Sequence, residues 1–284
     1  MLVRHVALVA EKSKIKHAEM TRVAAALQKQ VTRDFAPIWN VRATVDSFVR
    51  LEDVPIGYWP VIIQDKVEDA AGYHDDEDGQ PFALVQFERD WPLTASHEVL
   101  EMLADPFGRR LMAGQSPDPR QGRVSFLVEV CDPCEDAAFG YTVNGVLVSD
   151  FYTPDYFEPR KIAGKQYSYT GSVPGPREVL KGGYLSWLDP RSRRWFQLQR
   201  FSRKPKIVNL GAKTGAGSLR SWIDRQTAQA SLAALRGGGA AQLGMFKAVR
   251  RASEKAAQAR AASLRRGIRA VKEASSRRAS ESES

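Results

Sequence analysis

Thr94-Ala-Ser-His97-Glu98-Val-Leu-Glu101-Met-Leu-Ala-Asp105-Pro106 is the stretch from which the rest of this 284-residue chain is read. Wound as a helix, residues four apart share a face, so His97, Glu101 and Asp105 form a polar stripe while Val99, Leu100 and Leu103 turn toward a core. His97 and Glu101 then offer an imidazole nitrogen and a carboxylate oxygen to one Zn²⁺, and Glu98 stands beside the metal-bound water. This is the arrangement of H-E-x-x-H on a helix, with Glu in place of the second His. Pro106 ends the helix, and Thr94 or Ser96 caps its start. The plain alternative is an amphipathic helix with a solvated charged face.

Upstream of the helix, the apolar run Val3 to Ala10 reads as a first strand, because it is short and leads into Glu11-Lys12-Ser13-Lys14 and not into a cleavage site. Lys14 to Phe35 has helical spacing through Met20, Val23, Ala24, Leu27 and Val31, and Asp34 to Pro37 is expected to break it. Val41 to Val49, Val61 to Asp65 and Phe82 to Phe87 are β-branched or alternating and read as strands. Asp75 to Gly79 reads as an acidic turn between the last two. The Phe82 to Phe87 strand is taken as the sheet edge that could hold an extended peptide.

Downstream, Gly114 to Gly122 is a Pro/Gly/Gln-rich loop, and Val124 to Val130 is a strand that delivers Glu129, Cys131 and Asp132. Asn144-Gly145 is the signal for a two-residue hairpin between Phe139–Val143 and Val146–Tyr152. A second hairpin is expected at Gly183–Leu188 and Trp195–Gln199, with Trp187 and Trp195 as core or cross-strand partners. A hydrolytic zinc needs three protein ligands, and Glu129 is favoured as the third, with Asp132 its rival and His74 a further candidate. Asp105 is assigned to orienting His97 or to capping the helix end. Cys131 and Cys134 make half of a four-cysteine site with no second half, so a structural or incidental role is favoured over a redox pair.

Ser-His97-Glu98-Val-Leu-Glu101, Asp105-Pro106, Glu129-Val-Cys131-Asp132, and Asn144-Gly145 with its aromatic strand together resemble the HELxE pattern of the phosphate-induced (exordium-like) proteins and related bacterial zincin-like proteins. Gly72-Tyr73-His74 falls where that pattern also has an aromatic-His pair. The resemblance spans residues 70 to 157 and departs from true metallopeptidases at the second His. It implies an α+β, zincin-like fold, a twisted mixed sheet backing a metal-bearing helix and then a small β-hairpin region, and the composition of the last residues adds a basic C-terminal helix. On that reading residues 1–200 are the zincin-like domain, 201–244 a Gly-rich basic linker without a phosphate loop, and 245–284 a basic, Ala-rich helical tail.

The net charge is +9, and +8 of it falls between Arg236 and Ser284. Such a tail suits an anionic partner or nucleic acid, held through phosphates without reading sequence. No apolar stretch is long enough to span a membrane, and the start of the chain and its two cysteines fit a cytoplasmic protein, with virion association as another setting. The expected function is a zinc-dependent, metallopeptidase-like hydrolase of peptides or proteins, with Glu98 as base and another divalent metal able to replace zinc. The alternative is an inactive zincin-fold structural or binding protein, phage- or assembly-associated, that works through its tail.

Overall fold

The computed structural model describes residues 2–11, 14–67, 71–215 and 217–227. The tail expected over 245–284 lies outside the described residues.

A first sheet has the order β2-β1-β3-β5-β4, built from β1 (Arg4–Ala10), β2 (Ala43–Phe48), β3 (Tyr58–Gln64), β4 (Gly72–Glu77) and β5 (Gln80–Gln86). β1, β2, β3 and β5 are parallel, and β4 runs antiparallel to β5. Val6, Ala7, Leu8 and Val9 are all fully buried. An unbroken apolar run of this kind belongs to a parallel strand covered on both faces.

α1 (His17–Lys29) buries Met20, Val23, Ala24 and Leu27, the expected stripe. The expected break at Asp34 to Pro37 does not occur. The chain passes through a π-helical turn, Gln30–Phe35, into α2 (Ala36–Trp39), and the helix ends at Asn40 in the left-handed region (φ 54°). Pro37 follows directly on the π-helical turn, in the first turn of α2, and the chain stays helical through it. Asp34 is buried beneath Tyr141 and Tyr169, whose hydroxyls donate to it at 2.9 and 2.8 Å.

The acidic turn over Asp75 to Gly79 is corrected to a strand and a hairpin. Glu77 pairs with Gln80 around Asp78 and Gly79, both with positive φ (52° and 82°). β4 lies at the sheet edge, where charged side chains are common. β5, expected at the edge, is interior.

α3 (Trp91–Ala104) begins three residues before the expected cap. Ser96 does not cap it. The Ser96 hydroxyl donates to Gln30 Oε1 at 2.8 Å and accepts from the Ser149 amide, which places α3 on the same face of the sheet as the first helix. Ser96, Glu98 and Glu101 are buried, so the solvated-face alternative is excluded.

The second sheet is antiparallel, with the order β12-β11-β10-β7-β6: β6 (Leu111–Gln115), β7 (Arg123–Leu127), β10 (Tyr184–Asp189), β11 (Arg194–Gln199) and β12 (Lys206–Gly211). β8 (Tyr141–Val143) and β9 (Val146–Val148) form the expected hairpin, with Asn144 and Gly145 at φ 50° and 76°. Trp187 is fully buried and stacks on Phe196 across β10 and β11. The linker over 201–244 is corrected in its described part. Residues 206–211 are β12, and 219–227 are a helix whose Trp222 and Ile223 pack on Leu127 and Trp195. Their alternating and helical apolar positions were hidden by basic neighbours and glycines. No helix among the described residues is long and apolar enough to cross a membrane.

Candidate metal centre

Four chain segments meet at the site, α3 among them. α3 supplies His97, Glu98 and Glu101, β4 supplies His74, the segment after β7 supplies Glu129, Cys131 and Asp132, and the 219–227 helix supplies Arg220 and Asp224. Glycines make the approach close enough. A Cβ on Gly72 would lie 2.6 Å from Thr94 Cγ2 and 3.0 Å from Glu98 Oε1, so α3 can lie this near β4 only without a side chain there. At Gly108, with φ +56°, a Cβ would lie 2.6 Å from the Cβ of Arg220.

Glu101 is fully buried and split in role. Its Oε1 accepts from the backbone amides of Cys131 (3.0 Å) and Asp132 (3.3 Å). Its Oε2 is left to face His97 Nε2 at 3.2 Å, Arg220 Nη2 at 3.4 Å and His74 Nδ1 at 3.7 Å. Burial alone would raise the Glu101 carboxyl, but the His97 and Arg220 charges outweigh it and hold the group well below its ordinary range. His97 Nε2 also lies 3.3 Å from Asp132 Oδ1. Burial would lower the imidazole, and Glu101 and Asp132 override it, so that without a metal His97 is held well above its usual value.

His74 is on β4 and fully buried. Its Nδ1 lies 3.4 Å from Glu98 Oε2, off the line a hydrogen bond would need, and neither ring nitrogen has a hydrogen-bond partner. Arg220, which the sequence reading missed, enters among the acids. Its guanidinium lies 2.6 Å from Glu129, 3.1 Å from Asp132, 3.4 Å from Glu101 and 3.1 Å from Asp224. The contact with Glu129 is short but misdirected, and both Glu129 oxygens lack a hydrogen bond. Burial pushes Glu129 well above the ordinary carboxyl value, only partly opposed by Arg220.

The cluster is therefore polar, enclosed and incompletely paired. Among the described residues, every buried side-chain polar atom without a hydrogen-bond partner belongs to His74, Glu98, Glu101, Glu129, Asp132, Tyr152, Arg220 or Asp224. Tyr152 belongs with them, since burial and then Glu129 raise its hydroxyl well above its usual value. Native interiors leave few such atoms, and a concentration in one place calls for an explanation such as an ion. One ligand atom from each member lies within 4.8 Å of the others in His97–Glu101–Cys131, His74–Glu98–Glu101, His97–Asp132–Glu135 and Glu101–Glu129–Asp132. A tetrahedral ion with bonds of about 2.0–2.1 Å has ligand-to-ligand edges of about 3.3–3.4 Å. The 3.2, 3.3 and 3.4 Å His–carboxylate contacts are of that size. The site opens to solvent at His97 and Asp224, whose side chains are 12% and 17% exposed.

The expected site residues His97, Glu98, Glu101, Glu129 and Asp132 thus converge. Of the two roles expected of Asp105, the structure shows the one at the helix end: its Oδ2 accepts from the Arg110 amide at 2.6 Å, closing the loop after α3. Cys131 and Cys134 are free, buried thiols, and burial raises both well above their ordinary value.

Asp224 gives the cluster a pH signature. Burial raises its carboxyl to about 7, with Arg220 opposing. A raised acid contributes stability that is fully present below its unfolded value, near 4, and is lost as pH rises through about 7. Metal-free protein should accordingly lose melting temperature between about pH 4 and pH 7, and Asp224→Asn should flatten that part of the profile in a pH series of thermal melts. Equal slopes in the two proteins would contradict this role for Asp224.

Fold and site define an α+β protein with a buried histidine–carboxylate centre. Comparison with family models, curated proteins and solved structures gave no match.

Proposed function

We propose that the cluster is a divalent-metal centre and the protein a zincin-like, metal-dependent hydrolase with peptide bonds as its substrate class. The observation that carries this reading is the collection of unpartnered buried atoms around His97 and Glu101, at spacings suited to a common ion. His97 and Glu101 are two of the ligands, and Asp132, which is grouped with His97 in one set and with Glu101 in another, is taken as the third. Asp132 takes precedence over Glu129 because its Oδ1 faces His97, whereas Glu129 is drawn onto Arg220. These residues would hold a divalent ion, which would supply polarisation of a carbonyl and acidification of a water.

Glu98, one residue from His97 on the same helix, receives the proton from the attacking water. Glu101 stays ionised through its two backbone amide donors and its cationic neighbours. Two carboxylate ligands make the centre more anionic than a His-rich one, which lowers the acidity of the bound water and favours slow turnover. They also broaden metal choice toward Mn²⁺. β4 is the edge strand beside α3, so a peptide that adds to the sheet would run along β4, in place of the Phe82–Phe87 strand expected from sequence.

Glu98→Gln tests this function. The amide cannot accept the proton, so hydrolysis of a peptide library should fall by about 10²–10⁴ while the ion at His97 is retained. Undiminished hydrolysis, or no hydrolysis by metal-loaded wild type, would overturn the hydrolase reading.

A further inference from the structure

We propose that His74, Glu98 and Glu101 form a second divalent-cation site, so that the centre holds two ions sharing Glu101. This rests on the metal-centre reading above and adds a regulatory ion to it. One ligand atom from each of the three residues falls within 4.8 Å of the other two, and all three side chains are buried. An acidic cluster alone would not make a site. His74 supplies the independent observation: a fully buried imidazole, beside the carboxylates, with neither nitrogen hydrogen-bonded. An enclosed polar group without a hydrogen bond destabilises the fold, and a bond to a metal removes that cost.

The distances point the same way. His74 Nδ1 lies 3.4 Å from Glu98 Oε2 and 3.7 Å from Glu101 Oε2. Charge-assisted hydrogen bonds run about 2.7–2.9 Å, whereas ligands on a common tetrahedral ion stand about 3.3–3.4 Å apart. Glu101 is placed to bridge. Its Oε1 is fixed by the Cys131 and Asp132 amides, and its Oε2 lies 3.7 Å from His74 Nδ1 and 3.2 Å from His97 Nε2. The two imidazoles come from different elements, β4 and α3, so each can serve its own ion.

One nitrogen and two carboxylates suit Zn²⁺ or Mn²⁺. The second ion takes Glu98, the proton acceptor of the proposed reaction, as a ligand. Hydrolysis therefore peaks near one equivalent of metal and declines as the second site fills.

The test is a titration of metal-stripped full-length protein with Zn²⁺ against a chromophoric chelator, on wild type, His74→Ala, His74→Gln and His97→Ala, each checked for folding by circular dichroism. Two equivalents in wild type and one in each variant are expected. One equivalent in wild type, kept in both His74 variants and lost in His97→Ala, would overturn the second site and leave the hydrolytic metal intact. No binding at all would overturn both. A measurement on wild type alone decides the matter if the variants misfold: at saturation with Mn²⁺, two ions sharing Glu101 give a spin-coupled electron paramagnetic resonance spectrum. Saturation at one ion, with the spectrum of an isolated Mn²⁺, would overturn the proposal.

Discussion

Arg220→Met should lower the melting temperature of the metal-free protein by about 10 °C. Removing one partner of a buried ion pair costs about 3–5 kcal/mol, because the charges left behind are neither solvated nor paired. Each kcal/mol shifts the midpoint of a domain of this size by about 2–4 °C. Arg220 faces Glu101, Glu129, Asp132 and Asp224 and has a side chain only 4% exposed, so its loss uncovers several carboxylates at once. Part of the loss is relieved by protonation of Glu129, which burial already pushes toward its neutral form. Zn²⁺ should restore much of the rest, since Glu101, Glu129 and Asp132 are spaced to take an ion themselves. Scanning calorimetry of both proteins, with and without metal, checks both effects. A metal-free variant that melts within about 2 °C of wild type would show that Arg220 is not the counter-ion of this cluster.

His97→Ala has the second large effect. It removes the one imidazole that touches both Glu101 and Asp132 and lies at the solvent opening. Changing a residue that merely supports a metal ligand typically costs 10–100-fold in affinity, so losing a ligand should cost more than about a hundredfold. The substitution should also free Glu101 and Asp132 from their cationic neighbour, so metal-free His97→Ala is expected to be somewhat less stable at neutral pH. Competition against a chelator of known affinity measures the first effect and a thermal melt the second. An unchanged affinity would remove His97 from the ligand set.

Much of this centre is legible in the sequence, and the parts that are not have physical reasons. The spacing of His97, Glu98 and Glu101 is local, so helical geometry alone brings them together, and the buried apolar positions of α3 follow from the same periodicity. Glu129 and Asp132 could be nominated because a strand was expected to deliver them, although only packing shows that Asp132 faces His97 while Glu129 faces Arg220. β4 was missed because Asp75, Asp76 and Glu77 are poor strand formers by composition, yet an edge strand favours charge. With it went the burial of His74. Arg220 had no local signal, since it sits among many arginines in a stretch that looks like a linker, and its role depends on contacts made about 90 to 120 residues away in sequence. The Asp78-Gly79 pair was the available clue to the β4–β5 hairpin, and it lay inside the stretch read as an acidic turn.

The central claim is tested most directly by the metal content of the native protein, purified without chelators and measured by elemental analysis, with a melt before and after metal is stripped and returned. At least one equivalent of zinc or another divalent transition metal is expected, lost on stripping and regained on addition. At a hundredfold excess over its dissociation constant, returned metal should stabilise the fold by about 2.7 kcal/mol and raise the melting temperature by about 5–10 °C. Native protein with no metal, no uptake of added Zn²⁺ or Mn²⁺ and an unchanged melt would contradict it, and would leave the His74–His97–Glu101–Arg220 cluster as a buried ion-pair network.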